Sequence, residues 1–237
     1  MEMSARQPVL RLRDLYQTFR QGDREIPVLQ GVSADLYEGQ AVALVGPSGA
    51  GKSSLLHIVG LLEKPDKGTV YLRETNCIDL SDDDRTRLRR TDFGFIYQFH
   101  QLLPEFNAIE NVVLPQLIRG VSKNHAEARA LHLLGSLGLG ERADHRPAEL
   151  SGGEQQRVAI ARSIANGPKV LLADEPTGNL DPKTAEHVFH QLIGLIRTTR
   201  LAAIIATHNL ALASRMDRVL RLEHGQLIED TQLIQRT

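Results

Sequence analysis

Apolar and polar positions alternate or cluster along this chain in ways that assign its elements one after another. From Val9 to about Phe19, and from Ile26 to Leu36, short alternating stretches predict two strands joined by a turn at Gly22-Asp23. Ala41-Val42-Ala43-Leu44-Val45 is a continuous apolar run of strand length. Beyond it, Leu55, Ile58, Val59 and Leu62 recur at helix spacing. The turn Lys64-Pro65-Asp66-Lys67-Gly68 predicts a strand at Thr69 to Leu72. Ser81 followed by Asp82-Asp83-Asp84 predicts a helix start, and the acids suit that end of the helix dipole. Arg85, Arg87, Arg89 and Arg90 follow and read as a solvated helix face rather than a nucleic-acid surface.

The second half changes character twice. Gly94-Phe95-Ile96-Tyr97-Gln98 reads as a short strand ending at Gln98. From Phe99 to about Ile164 the pattern is mostly helical, with Ala126 to Leu134 and a long helix from about Glu154 inside it. After Gly167-Pro168, Val170-Leu171-Leu172-Ala173 and Leu201-Ala202-Ala203-Ile204-Ile205-Ala206 are unbroken apolar runs, as in parallel strands buried on both faces. A helix from about Thr184 to Thr198 joins them. The fold class expected is α/β, with a helical insertion at about 99–166 and no internal repeat.

Composition narrows the functions. The 237 residues suffice for one large domain or two small ones. A net charge of −1 argues against a broad nucleic-acid-binding face, and 4% aromatics without tryptophan argue against base stacking. The single cysteine, Cys77, excludes an internal disulfide and suits a reducing compartment. Met1 to Pro8 lack the apolar segment of a secretory signal, and no run approaches the ~18 apolar residues of a membrane span. The chain is expected to be soluble, with membrane contact only through partners.

Candidate chemistry centres on Gly46-Pro47-Ser48-Gly49-Ala50-Gly51-Lys52-Ser53, which reads G-x-x-x-x-G-K-S between a strand and a helix that continues with Ser54. Glycines let the backbone curl around phosphates, and its N–H groups join the free N–H groups of the helix start. Lys52 would meet the β and γ phosphates, and Ser53 would offer its hydroxyl to Mg²⁺. Asp174 and Glu175 close a buried strand, where a parallel sheet presents its ligands. Asp174 suits a second Mg²⁺ anchor, and Glu175, directed elsewhere, could take a proton from attacking water. Leu150-Ser151-Gly152-Gly153-Glu154-Gln155 makes a second anion-binding helix start without a second phosphate-loop lysine. His208 follows a buried strand and is a candidate γ-phosphate contact, whereas His187 and His190 share a helix face without further ligands.

In order and spacing these motifs resemble the ATP-binding cassette (ABC) family over nearly the whole chain. Gly46 to Ser53 is similar to its Walker A loop, Val170 to Asp174 to Walker B, and Leu150 to Gln155 to the signature. Gln98 resembles the Q-loop glutamine, Asn179-Leu180-Asp181 the D-loop, and His208 the switch histidine. The resemblance implies a P-loop NTPase (ABC ATPase) fold as one nucleotide-binding domain over 1–237. An N-terminal antiparallel β subdomain and RecA-like core would take about 1–98 and 167–237, and a helical subdomain about 99–166. It implies ATP and Mg²⁺ as cofactors, the metal held by Ser53, Gln98 and Asp174. It also implies a homodimer in which Ser151, Gly152, Gly153, Glu154 and Asp181 meet the other copy's ATP. Glu175, His208 and Lys52 would be catalytic. The family's adenine-stacking tyrosine falls at Phe19, whose phenyl face still stacks, with Tyr16 the competing candidate. Thr177-Gly178-Asn179 departs from the D-loop start of many members.

Gly94 to Pro115, including Phe99-His100-Gln101-Leu102-Leu103-Pro104, carries a narrower resemblance to the LolD-type ATPase subunits of lipoprotein-releasing transporters. That implies two permease partners (LolC/LolE-like) and a peripheral place on the cytoplasmic face of a bacterial inner membrane. Phe99, Leu102, Leu103, Phe106 and Leu114 would receive a coupling helix, or else pack in the helical insertion's core. A MacB-like exporter, an FtsE-like cell-division complex and a soluble non-transport ABC ATPase are the alternatives.

Overall fold

The computed structural model describes residues 7–22 and 24–234. Met1 to Arg6 of the leader reading and Asp23 of the first turn lie outside the described residues. In chain order, β1 (Leu10–Gln21), β2 (Arg24–Leu36) and β3 (Ala41–Val45) precede α1 (Lys52–Val59). Next come β4 (Lys67–Leu72), β5 (Thr75–Asn76), α2 (Asp82–Asp92) and β6 (Phe93–Ile96). The helices α3 (Ala108–Ile118), α4 (Lys123–Ser136) and α5 (Gly152–Ile164) follow. The chain then runs through β7 (Val170–Asp174), α6 (Pro182–Thr199), β8 (Ala202–Ala206), α7 (Leu210–Ala213), β9 (Arg218–Glu223), β10 (Gln226–Glu229) and α8 (Thr231–Ile234).

Two sheets form. The first is antiparallel, ordered β2-β1-β4-β5; the second runs β10-β9-β3-β8-β7-β6 and is parallel apart from β10. The apolar runs that looked buried on both faces are so. Along β3, Ala41, Ala43 and Val45 pack into one hydrophobic cluster with α3, α4, α5 and α6, while Val42 and Leu44 join α1 and the antiparallel sheet in another. The period-2 alternation of a strand thus divides one apolar stretch between two cores.

Local boundaries differ from the sequence expectations for identifiable reasons. The first helix ends at Val59, so Leu55, Ile58 and Val59 are buried but Leu62 is 44% exposed. Leu61 takes a left-handed φ of 61° there. Its carbonyl accepts hydrogen bonds from Arg85 (2.9 Å) and Arg89 (2.7 Å). Arg85, expected on a solvated face, is therefore buried, because a helix end needs partners for its last carbonyls. Residues 99–107 are not helical. The buried Asn111 shapes that loop: its Nδ2 donates to the carbonyls of Leu103, Phe106 and Asn107, and its Oδ1 accepts from the Leu103 N–H. The expected Gly94–Gln98 strand stops at Ile96, which leaves Gln98 in a loop.

Candidate functional site

Register brings three strand ends to one level. Leu44 of β3 pairs with Ala206 of β8, and Ala206 pairs with Asp174 of β7. The residues just beyond those ends, in the Gly46–Ser53 loop and at Glu175 and His208, gather at the carboxyl edge of the sheet, where open parallel sheets bind ligands.

The loop's glycines are needed where the backbone is crowded. A Cβ on Gly51 (φ 100°) would stand 2.2 Å from Val28 Cγ1, and one on Gly46 would stand 2.4 Å from the Leu222 carbonyl oxygen. Lys52 opens α1, and its Nζ donates to the loop carbonyls of Gly46 (2.9 Å) and Pro47 (3.1 Å). Phosphate oxygens can replace those carbonyls as acceptors for the ammonium group.

A cavity of about 540 Å³ opens against this loop. Phe19, Ser48, Gly49, Gly51, Lys52, Ser53, Ser54, Gln98, Asp174, Glu175 and His208, all singled out from sequence, line it. Gly46, Pro47 and Ala50 complete the loop without lining the cavity. Ile26 and Val28 join them, and the sequence held no signal for these two beyond their place on a strand. Phe19, Ile26 and Val28 supply the apolar part of the lining. Tyr16 faces elsewhere, its hydroxyl 3.1 Å from where a Gly31 Cβ would lie.

At the polar end the two acids diverge. Asp174 Oδ2 accepts a 2.6 Å hydrogen bond from the Ser53 hydroxyl. Glu175 adopts a left-handed φ of 47°, its N–H donating to the Ala206 carbonyl at 2.9 Å. Such backbone costs on the order of 1–3 kcal/mol and persists where the surroundings demand it. The turn sends the Glu175 carboxylate, 16% exposed, to within 2.9 Å of Nδ1 of the much more exposed His208. Hydroxyl, carboxylate and the nearby carboxamide of Gln98 form an oxygen donor set that fits a hard cation such as Mg²⁺. Among the described residues no cluster of three or more His, Cys, Asp or Glu side chains could hold a metal.

The second helix start lies apart. Ser151 caps α5 in a reciprocal box: its Oγ accepts from the Glu154 N–H (3.3 Å), and Glu154 Oε2 accepts from the Ser151 N–H (2.8 Å) and hydroxyl (2.7 Å). The Ser151 N–H, then its hydroxyl, hold the Glu154 carboxyl below the ordinary glutamate range. A Cβ on Gly153 would stand 2.4 Å from Thr184 Cγ2, and one on Gly152 would stand 3.5 Å from Leu180 Cδ2. Asp181 caps α6 at the Thr184 N–H (3.1 Å), and its bonds to Thr184 keep its carboxyl low. Ser151 to Glu154 and Asp181 thus flank one another, and among the described residues none of the five lines the Lys52 cavity.

The Phe99–Pro115 region is split. Phe99 (72% exposed), Leu103 and Phe106 are open, whereas Leu102 and Leu114 are half-buried. Beside them a second cavity of about 390 Å³ is lined by Phe95, Tyr97, Ile118 and Arg162 among others. Burial pushes the Tyr97 phenol up and lowers the Arg162 guanidinium.

A family profile described as ABC transporter matches residues 29–178. The lipoprotein-releasing system ATP-binding protein LolD of Nitrobacter hamburgensis is 58% identical over 230 residues, covering 97% of this chain and 99% of that protein. The protein of the same name from Paramagnetospirillum magneticum is 58% identical over 93% of this chain and 97% of its own. Among solved structures, the dimeric post-hydrolysis state of the ATP-binding cassette MJ0796 bound to ADP and Pi superposes with a TM-score of 0.85. It is 38% identical and covers 93% of this chain and 97% of its own.

Proposed function

This chain belongs to the ABC transporter family, and from that premise we propose that it is the ATP-hydrolysing subunit of an inner-membrane transporter that drives release of lipoproteins toward the outer membrane. The convergence of Lys52, Ser53, Asp174, Glu175 and His208 on one cavity carries the ATPase reading. The full-length similarity to LolD proteins carries the lipoprotein reading and favours it over a MacB-like, FtsE-like or soluble role.

Each side chain has a task in that reaction. Lys52 exchanges its loop carbonyls for β and γ phosphate oxygens and holds charge that develops on the transferring group. Ser53, Asp174 and Gln98 would hold Mg²⁺, which would neutralise phosphate charge when bound. Glu175 orients water and takes its proton, and His208 steadies Glu175 and meets the γ-phosphate. Phe19 stacks on the adenine from the apolar part of the lining.

The α5 tip and Asp181 serve the nucleotide of a second copy, so two copies close around two ATP molecules. The dimeric state of the MJ0796 cassette supports a pairing of two copies. We also read the chain as one nucleotide-binding domain, its helical subdomain at about 99–166. Two LolC/LolE-like permeases receive it on the cytoplasmic face of the inner membrane, at the open face of Phe99, Leu103 and Phe106. Among the described residues no helix is long and apolar enough to cross a membrane.

The test is reconstitution of the chain with its permease partners in lipoprotein-loaded vesicles. ATP-dependent lipoprotein release that disappears with Lys52→Ala is the expected result. ATP hydrolysis without release in the complete complex would overturn the cargo assignment.

A further inference from the structure

Gln98 and Asn179 grip each other at two points. Asn179 Nδ2 donates to the backbone carbonyl of Gln98 at 3.1 Å, and Gln98 Nε2 donates to Asn179 Oδ1 at 3.1 Å. The two residues are 81 positions apart in sequence, yet their loops leave the neighbouring parallel strands β6 and β7, where Ile96 pairs with Ala173.

The chemistry of this pair has only one polarity. A backbone carbonyl can only accept, so Asn179 must turn its NH₂ toward Gln98 and leave its own oxygen for the Gln98 side chain. That oxygen can only accept, so Gln98 must turn its NH₂ toward Asn179. Its Oε1, the one atom of the group that can ligate a cation, is thereby the end that Asn179 does not use. Asn179 itself is exposed, so water could satisfy its amide equally well and the core does not need the bond. The pair organises; it does not hold the fold together.

The geometry points to Asn179 as a positioning residue that sets the orientation of the Gln98 carboxamide and presents its oxygen to the metal side of the nucleotide cavity. This rests on the reading of Gln98 as an Mg²⁺-site residue. The next residues, Leu180 and Asp181, lie against the Gly152 end of α5 and cap α6. The loop that orients Gln98 is therefore also the loop that touches the second helix start.

Two measurements on the full chain test this. The first is equilibrium binding of a fluorescent N-methylanthraniloyl ATP, with Mg²⁺ and with EDTA. Asn179→Ala is expected to weaken Mg²⁺-dependent binding by about two- to tenfold, the span of one or two side-chain hydrogen bonds, and to leave binding in EDTA unchanged. In a Gln98→Ala background the same substitution should have no further effect. Equal weakening in EDTA, or weakening that persists without Gln98, overturns the proposal. The second is the nuclear Overhauser contact between the two side-chain amides in the nucleotide-free chain, which does not depend on the nucleotide reading. Its presence supports the pairing, and its absence overturns it.

Discussion

Glu175 Oε2 stands 2.9 Å from His208 Nδ1, a contact that ties the loop after β7 to the loop after β8 on the cavity that the phosphate loop also lines. The carboxylate is nearly enclosed and the histidine mostly open to solvent. Removing the carboxylate's basicity while keeping its shape should therefore separate chemistry from binding. Glu175→Gln is expected to lower ATP turnover by at least ~10², the contribution of a positioned general base, while nucleotide still binds. Steady-state ATPase assays beside equilibrium binding check this, and unchanged turnover would remove Glu175 from the role.

The adenine wall makes a second contrast. Stacking on an aromatic ring is worth about 1–3 kcal/mol per base, so Phe19→Ala should raise the Kd for ATP at least about fivefold. Tyr16→Ala should leave it unchanged, because Tyr16 sits over Gly31 and not on the cavity. Titration of both variants by fluorescence or calorimetry decides between them.

Two loop glycines differ in what a methyl group would meet. Gly49 (φ 78°) has nothing within 4 Å of its Cβ position, so Gly49→Ala should cost only the left-handed backbone penalty of about 1–2 kcal/mol. Gly51→Ala adds a clash with Val28 and should cost more, with loss of nucleotide binding as the loop shifts off β2. Denaturant unfolding of the two variants, compared with wild type, measures the difference.

Glu154 gives the chain a specific acid sensitivity. Its carboxyl is held low chiefly by the Ser151 N–H, so the folded state favours the charged form. With the folded pKa depressed, the stabilisation is complete above the unfolded value of about 4.3 and is lost as pH falls through the lower folded value. Glu154→Gln should therefore lower Tm at about pH 7, and the gap to wild type should narrow at about pH 3. A gap that does not change with pH would show that the Ser151 box does not depend on the charge.

The local chemistry was open to reading because it depends on residue types at fixed spacing. Gly46 to Ser53 needs its glycines for backbone room and its lysine at the helix start. The acids after Ala173 and the Ser151–Glu154 box likewise follow from strand and helix ends whose N–H groups seek partners. The unbroken apolar runs at β3, β7 and β8 announced a sheet covered on both sides, since an open sheet would alternate.

What adjacent residues could not reveal were the meetings of residues far apart in the chain. Arg85 is buried because the Leu61 carbonyl needed a donor, and Asn111 holds a loop that periodicity alone read as helix. Val28 and Ile26 entered the cavity wall only because the antiparallel sheet folds back over the phosphate loop. The pairing of Gln98 with Asn179 arises from the parallel register of β6 and β7. Spacing along the chain determined which groups exist, because helix and strand periods are local. Which groups touch was decided by strand register and loop path, which are set by packing across the whole sheet.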